Sequence, residues 1–213
     1  SALGCFHGFF LEMVTLKTEI KREKGGRVVK LILLGEGGSE KTQRFLEANL
    51  SRRFSLTCCT GQRISVSGAG EELLLLASPE LSCAQLEGGL FLARNGARLP
   101  KGLRLPGDAV VIVSSDEEEQ LRQLARMGAQ TVTCGLSCKD TVTFSSKSEE
   151  EAVVSLMREV IGLSGEMLEP MDIPITFPPE SGDYPLLACT AALLLAGAIT
   201  GEQHGLPTKY FQS

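Results

Sequence analysis

The chain has 213 residues, with 21 Lys and Arg against 26 Asp and Glu, a net charge of −5. A general nucleic-acid binder is excluded on that balance, because neutralising phosphates needs a basic face. A hydrophobic content of 43% with 22% charged residues fits a folded chain rather than a disordered one, and the length suits one α/β domain or at most two small ones.

Residues 11–24 alternate apolar and charged positions before Gly25-Gly26 and read as a strand or a short helix. Residues 1–26 are therefore set apart as an N-terminal extension. The run RVVKLILL (27–34) is almost wholly apolar and predicts a central parallel strand covered on both faces. Gly35-Glu36-Gly37-Gly38-Ser39 interrupts it, and the spacing of Phe45, Leu46 and Leu50 predicts a helix from Lys41 to about Arg52. Short strands are expected at 54–58, 62–67 and 72–77, then a loop-rich stretch over 79–107 with a short strand at 90–93. After Asp108, AVVIVSS predicts another buried strand. Ser115-Asp116-Glu117-Glu118 has capping-box spacing for a helix that reaches Met127 and stops at Gly128.

Strands follow at 130–134 and 140–145. Ser148 to Glu151 repeats the capping-box spacing and predicts a helix presenting Val153, Val154, Met157, Val160 and Ile161 on one face. Residues 173–177 predict a strand that Pro174 confines to a sheet edge. Asp183 is expected to cap a last helix with Pro185 in its first turn. Alternating strands and helices give an α/β class, a mostly parallel sheet with helices on both faces. Residues 27–200 read as a single domain.

The seven cysteines, Cys5, Cys58, Cys59, Cys83, Cys134, Cys138 and Cys189, are odd in number and irregularly spaced. They read as reduced thiols of a cytoplasmic protein rather than a disulfide framework. Cys134 and Cys138 supply at most half a zinc site, and Cys58-Cys59 reads as packing rather than redox chemistry. The longest apolar run, 186–199, is shorter than the ~18 residues a membrane span needs. The acidic runs 116–119 and 149–151 fit first helical turns, where the dipole favours negative charge. His7 and His204 have no nucleophile partner in view and read as surface residues. The chain starts at Ser1 and ends Tyr210-Phe211-Gln212-Ser213, which has the look of a protease-cleavage tag. Residues 201–213 are treated as a tail partly of cloning origin.

Residues 35–42, GEGGSEKT, match the phosphate-loop (Walker A) pattern G-x-x-x-x-G-K-[ST] at Gly35, Lys41 and Thr42. A buried strand precedes the loop and a helix follows it. Backbone N–H groups of Gly35, Gly37, Gly38 and Ser39 would hold phosphate oxygens, Lys41 would reach the outer phosphates, and Thr42 would ligate Mg²⁺. Glu40 stands where the pattern has glycine and sets a carboxylate beside the nest for polyphosphate. The readings are a working nucleotide site, a degenerate loop that keeps its shape, and an ordinary strand-to-helix turn.

The segment GDAVVIVSSDEEEQLRQLARMGAQTVTCGLSCKDTVTFSS (107–146) resembles the second half of the central domain of Mur ligases, the ATP-dependent amino-acid ligases of peptidoglycan synthesis. Ser114-Ser115-Asp116-Glu117 stands for that family's Asn-Ala-Asp-Asp type strand end, and Val132-Thr133-Cys134-Gly135-Leu136-Ser137 for its ITYGLS-like strand. The tail DIPITFPPESGDYPLLACTAALLLAGAI (172–199) is similar to the family's closing strand and Ala-rich helix. The resemblance covers about 27–200, the central domain alone. It implies ATP and Mg²⁺ as ligands, with Lys41 and Thr42 in the loop roles, Glu80 as a Mg²⁺-holding acid with Thr42, and Asp116 near the nucleotide's sugar and base. Glu40 replaces glycine, Ser114 replaces asparagine, and Glu180-Ser181-Gly182-Asp183 stands where the family has Gly-Arg-His-Asn.

The resemblance with a broken loop implies a degenerate, non-catalytic domain with a binding or regulatory role in bacterial cell-envelope metabolism, and ligase activity by this chain alone is not expected. The alternatives are an ATP-dependent ligase or kinase with a variant loop, and a structural scaffold without nucleotide. A nucleotide, a protein partner or a second copy of the chain are the partners left in view; nucleic acid and a membrane span are not.

Overall fold

A computed structural model describes residues 28–34, 39–60, 63–78, 88–94, 96–99, 103–105, 109–177 and 181–199. The strands are β1 (Val29–Leu34), β2 (Phe54–Cys59), β3 (Ile64–Ser67), β4 (Glu71–Ser78), β5 (Gly89–Ala93), β6 (Ala109–Ser114), β7 (Gln130–Cys134), β8 (Val142–Lys147), β9 (Glu151–Leu156), β10 (Val160–Ile161), β11 (Met167–Leu168) and β12 (Met171–Thr176). The helices are α1 (Ser39–Leu50), α2 (Glu118–Met127) and α3 (Asp183–Leu195).

Ten strands form one sheet in the order β12-β9-β8-β7-β6-β5-β1-β4-β2-β3. From β8 to β2 all neighbours are parallel; β3 closes one edge antiparallel, and β9 and β12 extend the other. β7 and β8 meet at one register pair, Cys134 with Val142. β10 and β11 make a separate small hairpin.

Strand periodicity explains the two layers. Leu31 and Leu33 of β1 face a core shared with Phe45, Leu46 and Leu50 of α1 and with α3. Ile32 and Leu34 face the other side, with Phe91, Val111, Val113 and Leu124 of α2. A strand buried on both faces has no polar alternation to show, hence the continuous apolar run. Each fully buried Leu contributes roughly 1.5–3 kcal/mol relative to exposure. α3 has no polar face: Leu186 through Leu195 are all buried. No described helix is long and apolar enough to cross a membrane.

Three local expectations change. Residues 151–161 form β9 and β10, not a helix. Ala152, Val154 and Leu156 are the buried positions of β9, a period of two. Ser148 closes the β8–β9 hairpin instead of capping a helix: its Oγ donates to the Glu151 carbonyl at 3.0 Å and accepts from the Glu151 N–H at 3.2 Å. The N-cap of α2 is Glu117, whose side chain makes no bond to the helix's own N–H groups, rather than Ser115; its end is as expected, with Gly128 left-handed at φ 65°. Asp183 is the first residue of α3 behind the N-cap Gly182, and its carboxylate pairs with Lys147 of β8. Pro174 lies in the edge strand β12, as its missing N–H requires.

Candidate phosphate-loop site

Parallel strands end on one side, so Leu34, Ser78, Ala93, Ser114 and Cys134 share the carboxyl edge of the sheet. From β1 the chain passes through α1 on one face and continues to β2, beyond β4. From β6 it passes through α2 on the opposite face to β7. The direction of winding therefore reverses between β1 and β5, the switch point outside which open α/β sheets bind ligands. The glycine-rich loop leaves β1 at that point.

Gly35, Gly37 and Gly38 lie outside the described residues, as does Glu80. Ser39 and Lys41 belong to the first turn of α1 by backbone, and their side chains lie outside the description. Thr42 is in the same first turn and is buried, 9% exposed. Helix start, Lys41 and Thr42 thus follow a buried strand end in the order phosphate-loop chemistry requires. Asp116 sits in the exposed turn after β6, its N–H donating to Ser114 Oγ at 3.3 Å. β6 is two strands from β1, so the end of β6, just before Asp116, and the end of β1 lie on one edge at a spacing of about 10 Å.

Several neighbours were not singled out by the sequence. Arg94 follows β5 directly, and its N–H donates to the Leu34 carbonyl at 2.9 Å, across the switch point. Its side chain is buried; burial pulls the guanidinium below its usual value, opposed by the Cys189 thiol. The Tyr184 hydroxyl of α3 donates to the Ala93 carbonyl, and burial holds it well above the usual phenol range. Glu117 accepts from the Gly96 N–H at 3.0 Å, and Gln120 donates to the Ala97 carbonyl, so the segment after β5 is pinned to the start of α2. A charged residue directly behind an apolar strand was the only signal available for Arg94.

Beyond β7, a Cβ on Gly135 would lie 2.1 Å from Ser115 Oγ and 2.5 Å from Asp140 Oδ2. Only glycine lets the loops after β6 and β7 come this close. Asp140 is buried and accepts from the Ser137 N–H at 3.0 Å.

Cys134 is buried and Cys138 exposed. Cys58 and Cys59 are both buried in β2, and the Cys58 thiol donates to Glu47 Oε1 at 2.9 Å. Burial, then the Glu47 carboxylate, push the Cys58 thiol up to about 12; burial, opposed by the Arg94 charge, drives Cys189 up to about 12. Such thiols are poor nucleophiles at neutral pH.

No family model matches the sequence, and no curated relative matches it closely. Solved structures to which the chain is similar include Mur ligases. A UDP-N-acetylmuramoyl-L-alanyl-D-glutamate–2,6-diaminopimelate ligase is 10% identical over 85% of this chain and 45% of its own, with TM-score 0.46. The MurF of Acinetobacter baumannii is 16% identical over 80% and 43%, with TM-score 0.46. The murein peptide ligase of Psychrobacter arcticus is 9% identical over 82% and 45%, with TM-score 0.46. The chain spans less than half the length of each.

Proposed function

We propose that residues 27–200 form a single Mur-ligase-like domain whose phosphate loop keeps its position and has lost most of its affinity. Its role is non-catalytic, binding or regulatory, in the cytoplasmic steps of bacterial cell-envelope metabolism. The observation that supports this reading is that β1, a buried central strand that ends at the switch point, is followed after four residues by α1, whose first turn carries Lys41 and Thr42 in register and Glu40 at the glycine position. A first-turn carboxylate stabilises a helix by about 0.3–1 kcal/mol. The same charge opposes a polyphosphate by up to several kcal/mol at close range in a partly dry site.

ATP and Mg²⁺ are the ligands that the resemblance implies: the loop backbone, Lys41 and Thr42 would hold the phosphates and cation, Glu80 the cation, and Asp116 the nucleoside. A bound nucleotide would supply the charge that the loop and the helix terminus neutralise. The resemblance over 27–200 supports the cell-envelope assignment.

The test is a thermal-shift titration with ATP, ADP and GTP, with and without Mg²⁺, on the parent, Glu40→Gly and Lys41→Ala. The proposal expects little shift in the parent and a Mg²⁺-dependent rise in Glu40→Gly. Hydrolysis or ligation by the parent at ordinary enzyme rates would replace it with the second reading, an ATP-dependent ligase or kinase. That reading is favoured by Lys41 and Thr42 in register and by the buried Arg94 beside the end of β1. No shift in any variant would leave a scaffold. Limited proteolysis that releases 1–26 and 201–213 and leaves 27–200 intact is the expected outcome for the domain boundaries.

A further inference from the structure

Six large apolar side chains are exposed among the described residues, and three of them, Met157, Ile161 and Met167, fall within one short stretch. Ile161 and Met167 are direct partners across the β10–β11 hairpin, so they share one face. They are 46% and 57% exposed. The hairpin does not hang loose. The Gly162 N–H donates to the Glu166 carbonyl at 2.9 Å, and the Leu163 N–H donates to the Leu195 carbonyl at the end of α3, also at 2.9 Å. Gln130 Nε2 at the start of β7 donates to the Ile161 carbonyl at 3.1 Å. Val160 and Leu163 are buried beneath it. An isolated hairpin of this size would not persist in water; this one is fixed to the amino end of the parallel strands, opposite the carboxyl edge where β1 ends.

The setting of these side chains is acidic. Glu159 and Glu169 are exposed and Glu166 is half-buried, against one exposed cation in the same stretch, Arg158, whose guanidinium donates to the Lys139 carbonyl at 2.7 Å. A second copy docked face to face would set carboxylates against carboxylates, and an anionic lipid surface would be repelled. A methionine paired with an isoleucine makes an adaptable apolar contact, and the acidic rim selects the sign of what approaches.

We propose that the outer face of the β10–β11 hairpin, Ile161 and Met167 with the carboxylates Glu159, Glu166 and Glu169, is a docking surface for a basic segment of another protein that carries apolar anchors. This surface is independent of the phosphate loop.

The test is fluorescence anisotropy with a labelled amphipathic peptide of leucine and lysine. A leucine–glutamate peptide, a lysine–serine peptide and phosphatidylglycerol vesicles are the controls. The parent binds the leucine–lysine peptide alone. The variant Ile161→Ser/Met167→Ser weakens binding by at least roughly ten-fold, as expected where a few central anchors carry the energy. Glu159→Lys/Glu169→Lys weakens it and removes its salt dependence. Ile64→Ser/Val66→Ser, which alters the other exposed apolar pair, leaves it unchanged. All four altered apolar side chains are solvent-exposed, and unchanged melting curves confirm that the variants fold. Equal binding by parent and hairpin variant, binding of the leucine–glutamate peptide or the vesicles, absence of binding, or a parent dimer that the hairpin variant converts to monomer would each overturn the proposal.

Discussion

The Arg94 N–H donates to the Leu34 carbonyl at 2.9 Å, joining the end of β5 to the last residue of β1 before the glycine-rich loop. Backbone hydrogen bonding thus fixes where a buried guanidinium begins relative to the loop. In the Glu40→Gly background, where ATP–Mg²⁺ is expected to bind, adding Arg94→Met should weaken that binding by about ten-fold, close to 1.4 kcal/mol. Isothermal titration reads this, and equal affinity with and without Arg94 would remove it from the site.

Tyr184 ties the first turn of α3 to the Ala93 carbonyl. Tyr184→Phe keeps the ring and leaves that carbonyl without the phenol. The expected cost is about 1–2 kcal/mol in urea unfolding. Nucleotide binding in Glu40→Gly should be little changed, because the bond positions the helix rather than a ligand.

Gly135→Ala should be costly for a reason visible in one place. The added methyl would meet Ser115 Oγ and Asp140 Oδ2, and overpacking of this kind costs typically 1–3 kcal/mol. Ser115→Ala in the same background should restore part of the loss. A double variant no more stable than Gly135→Ala would mean that the Asp140 carboxylate is the whole obstacle.

The buried thiols make a prediction at alkaline pH. Cys58, Cys134 and Cys189 are all raised by burial first. Unfolded thiols ionise near 8.5, so above that pH the unfolded chain binds fewer protons than the folded one, and stability falls as pH rises. Each thiol contributes a slope of up to about 1.4 kcal/mol per pH unit until its folded value is passed. Denaturant midpoints between about pH 8 and 10 in a reducing buffer should show the decline, and Cys189→Ala should flatten it.

At the acid end the sign reverses for Glu47. Burial raises it, but bonds from the Cys58 thiol, Gln43 and Arg63 outweigh burial and hold it below the usual carboxylate range. Its contribution is present above the unfolded value of about 4.3 and is lost as pH falls through the folded one. Glu47→Gln should remove this part of the acid transition. An unchanged acid limb in melting curves would place the sensitivity in other carboxylates.

How far the sequence carried depended on whether an element's neighbours resembled it. β1, β4 and β6 were legible because parallel strands buried on both faces need uniform apolar runs, and Pro174 marked its own edge. Residues 151–161 misled because Ser148 and Glu151 have the same spacing in a tight hairpin as in a helix start, and because Val153, Val154 and Met157 satisfy a period of 3.6 while Ala152, Val154 and Leu156 satisfy one of two. What decides is the free edge of β8, which no local pattern reports. The loop at 35–42 was readable as a motif. Arg94 and Tyr184 were not, since one sits in a stretch without periodicity and the other reaches 91 residues away.

The single register pair between β7 and β8 divides the large sheet into two slabs of unequal width. Main-chain hydrogen bonding is dense within each slab and thin across the seam. α3 packs against β5, β6 and β7 on one side of that seam and β8 on the other, and against α1. It therefore acts as a strut. Whether the molecule opens as one cooperative unit or as two depends on this helix rather than on the sheet. Loosening its first turn, at Asp183 or Tyr184, would let β8, β9 and β12 come away as a separate foldon while the strands around the phosphate loop stay folded.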